Sequence, residues 1–120
     1  IINILDQRID HPHGDQLAYT LSKLALAGLT RTSAASLAPK VRVNAVAPGF
    51  IEGEWLQTGL GSSYESVRNK KAAEGLLDTV STPEDIADGI LSMITCAKVT
   101  GHILTVDTGH TIGPRISSGI

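Results

Sequence analysis

The sequence predicts an α/β chain in which helices pack on a parallel sheet. Three observations carry this. Short runs rich in β-branched residues, Ile1-Ile2-Asn3-Ile4-Leu5, Val41-Arg42-Val43-Asn44-Ala45-Val46 and Ile103-Leu104-Thr105-Val106-Asp107, read as three strands buried in a sheet interior. Between the first two lies a long helical stretch, giving a βαβ unit whose strands run parallel. The core inventory agrees: hydrophobic residues make up 42% of the 120, yet the aromatics are only Tyr19, Phe50, Trp55 and Tyr64. A core of Ala, Val, Ile and Leu suits helices on a parallel sheet.

Taken in order, the first strand ends at Asp6, and Gln7 to Gln16 reads as a surface loop with Pro12 and Gly14. His11 and His13 flank Pro12 there; they are read as solvated loop histidines, with no third metal ligand apparent. A helix is expected from Leu17 to Ala38. Its Ala18, Ala25, Ala27, Gly28, Ala34 and Ala35 permit close approach, and Pro39 stops it. The second strand closes at Ala47-Pro48-Gly49. Phe50 to Ser63 shows no regular period and is expected to be an irregular connection. Extended to residue 80, this region (50–80) is assigned as a substrate loop or lid, at the carboxyl end of a parallel strand where open α/β sheets bind ligands. Trp55 has two readings there: a cover for a planar substrate, or an indole packed under its own loop. Tyr64 to Leu77 is expected to be a helix with Glu65, Arg68, Lys70, Lys71 and Glu74 on its polar face. Thr82 then caps a helix opened by Pro83 and acids, and Ile86, Ala87, Ile90, Leu91 and Ile94 are spaced to pack on the sheet. The tail after Gly109 ties down at a subunit interface or frays.

Composition excludes several classes. Ten basic against twelve acidic residues give a net charge of −2, and Arg68-Asn69-Lys70-Lys71 is too small a patch for nucleic acid. No apolar run approaches the ~20 residues of a membrane span. The single Cys96 rules out an internal disulfide framework, fits a reducing compartment, and leads to the expectation of a cytoplasmic protein. The chain begins inside a strand-like run without an initiator methionine, so it is expected to be part of a longer protein.

Chemistry concentrates at Tyr19-Thr20-Leu21-Ser22-Lys23. Residues four apart share a helix face, which places the Tyr19 phenol and the Lys23 ammonium toward one cavity. A phenol of reference pKa about 10 is a poor acid or base near neutrality, and a nearby cation favours the phenolate. The spacing alone is also that of an ordinary solvated helix face. Its flanks decide between the two.

Those flanks are the strand ending Asn3-Ile4-Leu5-Asp6, Arg42-Val43-Asn44 followed by Pro48-Gly49, Thr82-Pro83-Glu84-Asp85-Ile86-Ala87, Val99-Thr100-Gly101, and Val106-Asp107-x-Gly109. With Tyr19-x-x-x-Lys23 in this order, the chain resembles the C-terminal half of a short-chain dehydrogenase/reductase over nearly its whole length. The resemblance implies that residues 1–120 are the C-terminal catalytic half of one doubly wound Rossmann-type domain. It implies that Tyr19 exchanges a proton with substrate, and that Lys23 lowers the tyrosine pKa and bonds the nicotinamide ribose. Pro48, Gly49, Phe50 and Ile51 would line the nicotinamide. The family threonine four residues past that glycine is replaced by Gly53, which offers no hydroxyl to a pyrophosphate. No Thr-Gly-x-x-x-Gly-x-Gly turn is present, since Thr58-Gly59-Leu60-Gly61 stands in the wrong context.

One departure sharpens the reading. Asp6 stands 13 residues before Tyr19, where most of the family carries a serine. Ile-Ile-Asn-x-x-Asp at this place is similar to pteridine reductases and related dihydrofolate-reducing members, in which the aspartate helps deliver a proton to a ring nitrogen. A carboxylate pairs with a ring N–H or relays a proton, which a serine hydroxyl does poorly. The competing reading is that Asp6 caps the following loop. The expectation is an NAD(P)H-dependent reductase of C=N or C=O bonds, with NADP(H) favoured over NAD(H). Its substrate would be a pterin, a folate or a carbonyl compound, and its assembly a homotetramer. The alternatives are a carbonyl reductase or alcohol dehydrogenase of another substrate, or a non-catalytic module, inactive without its other half.

Overall fold

The computed structural model describes residues 1–114 and 116. Its centre is a parallel sheet of three strands in the order β1 (Ile2–Ile4), β2 (Asn44–Pro48), β3 (Ile103–Val106), with Ile4 opposite Val46 and Val46 opposite Leu104. Among the described residues four α-helices accompany it: α1 (Leu17–Leu37), α2 (Glu54–Leu60), α3 (Tyr64–Glu74) and α4 (Pro83–Thr95). The predicted α/β class, the three strands and their parallel sense are what the structure shows.

β2 is buried throughout, and its alternation sorts the core. Ala45 and Ala47 face α1 and pack with Leu5 and Ala27. Val46 faces the other way, onto Ile86 and Met93 of α4. Small residues on the α1 side let that helix lie close. Its buried positions are Thr20, Ala27, Thr30 and Ala34, a single stripe at helical spacing. Both crossovers step in the same direction across the sheet, yet α1 and α4 lie on opposite faces, so the two connections have opposite hands. One of them departs from the right-handed rule for parallel crossovers. The 50–82 excursion over the carboxyl ends of the strands is what carries the chain from one face to the other.

Local chemistry explains the boundaries. α1 stops at Leu37 because Ala38, preceding Pro39, takes an extended conformation (φ −66°, ψ 147°). α4 opens on the expected Thr82 cap as a full capping box: Thr82 Oγ1 accepts from Asp85 N at 3.2 Å, and the Asp85 carboxylate accepts from Thr82 N at 2.8 Å. Three expectations are corrected. Phe50 to Ser63 is not irregular, since α2 and a 3-10 turn at Gly61–Ser63 occupy most of it; Gly53, Gly59 and Gly61 mask the helical period. α3 ends at Glu74, short of Leu77, with Gly75 extended and pressed against Thr108. On α4 the sheet-facing residues are Ile86, Gly89 and Met93, with Ile90 partly buried beside them as expected, whereas Ala87, Leu91 and Ile94 are exposed. Gly89 makes the closest approach: a Cβ there would lie 3.0 Å from Val106 Cγ2. After Gly109 a 3-10 turn forms at His110–Ile112; Arg115 and residues 117–120 of the tail lie outside the described residues.

The connection from α4 to β3 is bolted to the start of β2 by two side chains. The Arg42 guanidinium donates to the carbonyls of Met93, Cys96 and Val99 through Nη1 and of Ile94 through Nη2, at 2.7–3.1 Å. Met93 and Ile94 offer carbonyls of the last turn of α4, where a cation also complements the helix dipole, and Cys96 and Val99 follow the helix. Asn44, fully buried, donates to Val99 O and accepts from His102 N, both at 2.9 Å. The Arg42-Val43-Asn44 motif is thus structural.

Candidate active site

The carboxyl ends of β1 and β2 meet the first turn of α1 at one place. β1 delivers Asp6, and the chain turns at once into a 3-10 segment, Gln7–Ile9. Asp6 divides its two oxygens. Oδ1 accepts from Arg8 N at 2.8 Å and caps the turn, while Oδ2 accepts from the Tyr19 hydroxyl at 2.6 Å. The capping reading and the tyrosine-facing reading are therefore both satisfied by one carboxylate. At 2.6 Å the second bond has the length of an O–H donating to a charged oxygen.

Lys23 is not aimed at the phenol. Its Nζ donates to Ile4 O at 2.9 Å, at the end of β1, and lies 5.7 Å from the Tyr19 ring centroid. The expected lowering of the tyrosine pKa is not what the structure gives. Partial burial, then the hydrogen bond and the negative charge of Asp6, push the Tyr19 hydroxyl up to about 12. The cation whose field works against this rise is Arg8. Sequence reasoning reads Arg8 only as part of a surface loop; the available signal is its place two residues after Asp6, with a carboxylate partner at Asp15. That pair is formed, Arg8 Nη1 to Asp15 Oδ1 at 2.8 Å.

Pro48 and Gly49 follow at the end of β2. Gly49 N donates to Val106 O at 2.9 Å, and a Cβ on Gly49 would lie 2.7 Å from Asp107 Cβ, so only glycine fits. Asp107 is itself buried and caps the closing turn, accepting from Gly109 N, Thr111 N and Thr111 Oγ1 at 2.7–3.0 Å. Gly109 takes φ +82° and packs on Leu76, which accounts for the glycine of Val-Asp-x-Gly. Two cavities meet at Gly49 and Phe50. The larger, about 540 Å³, is lined by Ile51, Trp55, Leu56 and Pro83 among others. The smaller, about 140 Å³, reaches Asp6, Arg8, His13 and Lys71. Trp55 is 85% exposed, which excludes an indole packed under its own loop. Ile51 bridges to Ser81, and Arg68 Nε holds Glu52 Oε2 at 2.6 Å, so α3 is tied to the segment that comes after Gly49.

These residues fit a nicotinamide. The larger cavity offers an apolar wall for a planar ring, and Lys23 has N–H donors beyond the one given to Ile4 O. A pyrophosphate cradle is not among them: Thr58, Gly59 and Leu60 lie inside α2, away from any strand-to-helix turn. His11 and His13 meet edge to face with ring centroids 5.6 Å apart, and among the described residues no group of three His, Cys, Asp or Glu side chains converges on a metal position. No helix among them is long and apolar enough to cross a membrane.

Comparison with known proteins places these features. Residues 2–111 match the family model described as enoyl-(acyl carrier protein) reductase. The chain is 35% identical to the short-chain dehydrogenase/reductase homolog YusR of Bacillus subtilis, over 82% of this chain and 73% of that protein. It is 34% identical to a dihydromonapterin reductase of Klebsiella pneumoniae, over 92% of this chain and 43% of that one. Among solved structures, the aldohexose dehydrogenase of Thermoplasma acidophilum superposes with a TM-score of 0.87 at 27% identity, covering 100% of this chain and 51% of its own. The chain thus spans about half the length, or less, of these last two.

Proposed function

The chain belongs to the short-chain dehydrogenase/reductase family, and from that premise we propose that it supplies the proton-donating half of an NAD(P)H-dependent reductase acting on a C=N or C=O bond. The observation that carries the reading is the 2.6 Å hydrogen bond from Tyr19 to Asp6, whose carboxylate lines the smaller cavity. The nicotinamide would supply a hydride; the protein's part is the proton. With its pKa raised to about 12, the Tyr19 phenol holds its proton throughout the neutral range, the state a reductase needs before transfer. As the proton leaves, a phenolate would develop beside a carboxylate, an unfavourable pair. Arg8 and Lys23 are the cations near enough to offset it. Asp6, within 2.6 Å, is also the group through which the phenol regains a proton. Lys23, Pro48, Gly49, Phe50 and Ile51 form the cofactor wall in this reading. Residues 50–80, which carry α2 and α3, act as the substrate lid on a domain spanning 1–120.

The pteridine-reductase-like form of the reading is supported by Asp6 in place of serine and by the likeness to dihydromonapterin reductases. NADP(H) is taken over NAD(H) on the same resemblance, and side-by-side initial rates with the two cofactors decide it. The test of substrate is reduction of dihydromonapterin and dihydrobiopterin by the whole protein, with and without Asp6→Ser. Asp6→Ser is expected to lower kcat on pterins by about 10²-fold, the loss of one positioned proton relay. Undiminished pterin reduction in that variant would leave Asp6 with its capping role alone. The aldohexose dehydrogenase likeness favours a carbohydrate carbonyl as the second reading.

A homotetramer is proposed for the assembly. The outward side of α1 carries Leu17, Leu21, Leu24 and Leu29, and α4 exposes Leu91 and Ile94, apolar surface that calls for a cover. A monomer by light scattering contradicts it. Cys96 is exposed and unpaired, which accords with a reducing, cytoplasmic setting.

A further inference from the structure

We propose that the small cavity beside Asp6 receives an anionic oxygen group of the substrate, held between Arg8 and Lys71, so that among pterins, folates and carbonyl compounds the site prefers those bearing a carboxylate or phosphate over neutral relatives such as the simple pterins and sugars named above. The inference rests on the reading that Tyr19 and Asp6 flank the reacting atom, and it names the substrate class of that same site. Two separate parts of the chain supply the cations. Arg8 comes from the turn after β1, Lys71 from the last turn of α3, and both line this one cavity with His13. At about 140 Å³ the cavity is the smaller of the two, suited to a carboxylate or phosphate head rather than to the body of a substrate.

Both cations have donors to spare. Arg8 places Nη1 on Asp15, whose side chain is 62% exposed, and Lys71 places one N–H on Glu74 at 3.1 Å. A guanidinium has five N–H donors and an ammonium three, so most remain for a ligand. The ion pair to exposed Asp15 is worth little and costs correspondingly little to share, whereas the Lys71–Glu74 pair is half-buried and Lys71 serves a ligand through its remaining N–H donors. Asp6 offsets part of the two cations' field, which Arg8 feels, but does not take up their free donors. Its oxygens are already engaged, one by Arg8 N and one by the Tyr19 hydroxyl. The uncharged body of the substrate would then extend past Gly49 and Phe50 into the larger, apolar cavity. A planar guanidinium fork recognises carboxylate and phosphate alike, so the two are separated by experiment.

The test is calorimetric titration of the whole protein, with NADPH saturating so that cofactor phosphate sites are filled. The probes are benzoate, phenyl phosphate and the neutral benzamide. At least one acid is expected to bind saturably and at least about tenfold more tightly than benzamide; the tighter of the two identifies the head group. Arg8→Gln and Lys71→Gln are each expected to weaken that acid about tenfold, consistent with loss of one charge-assisted contact. Lys70→Gln, which removes an exposed neighbouring charge outside the cavity, leaves it unchanged. Thermal melts of each variant establish that the fold is kept. Equal affinity for acid and amide, absence of saturable acid binding, or indifference to Lys71→Gln each overturns the assignment. None of these outcomes touches the reductase reading, which stands or falls on turnover by Tyr19→Phe.

Discussion

Replacing Tyr19 with phenylalanine in the whole protein is expected to lower kcat by about 10²–10⁴-fold, the range for removing a positioned general acid. KM for substrate and cofactor should change little, because the ring and its packing remain while only the hydroxyl is lost. The reason for so large an effect is that no other donor stands in its place. Asp6 Oδ2 would keep no partner from the chain, and its other oxygen stays committed to the turn. Lys23 reaches Ile4 O and does not substitute for the phenol. A loss confined to kcat is the signature of an interaction made in the transition state. Turnover left near the original value would remove Tyr19 from the chemistry and favour a non-catalytic module.

The largest expected effect on stability comes from Arg42. Arg42→Ala removes the guanidinium from four carbonyls, those of Met93 and Ile94 in the last turn of α4 and of Cys96 and Val99 beyond it; Cys96 O keeps Val99 N and Val99 O keeps Asn44 Nδ2. Hydrogen bonds to a charged group contribute about 1.5–3 kcal/mol each, but two of these acceptors are solvent-exposed and water replaces the donor there. The net cost is expected at about 2–4 kcal/mol, read as a lowered midpoint in urea with unchanged slope. Arg42→Lys should fall between, since an ammonium is a point donor without the reach of the fork. A change below about 0.5 kcal/mol for Arg42→Ala, the range of an ordinary surface substitution, would contradict this account.

How much of the molecule is legible in its sequence depends on the range of the interactions involved. Strands, helix starts and the Thr82 capping box are written in adjacent residues, and they form where local chemistry places them. Asp6 and Tyr19 are expected together because the chain resembles a family in which the residue 13 before the tyrosine sits beside it, and they meet. The direction of Lys23 is not legible: whether an ammonium finds a phenol or the nearer β1 carbonyl depends on how closely α1 approaches the sheet. Burial and the Asp6 charge then decide the tyrosine pKa, which spacing alone assigns the other way. The same limit hides the purpose of Arg42, whose partners lie 51–57 residues away. On α4, helical period marks Leu91 and Ile94 as apolar without saying what covers them, while Gly89, which carries no side chain to count, makes the sheet contact.

The central claim is that Asp6 and Tyr19 act as one proton-holding pair, and tyrosine ionisation measures it most directly. Tyrosines labelled at Cζ with ¹³C are followed by NMR through alkaline pH, with Tyr19→Phe identifying the signal. Because the folded pKa lies above the ordinary value of about 10, the stabilisation from this group is complete below about pH 10 and is lost as pH rises through about 12. Tyr19 is expected to ionise near pH 12 in the native protein, and Asp6→Asn to bring it back toward 10 by removing the carboxylate's charge. A Tyr19 that titrates at or below 10 with Asp6 in place, or one that Asp6→Asn leaves where it was, would contradict the pair.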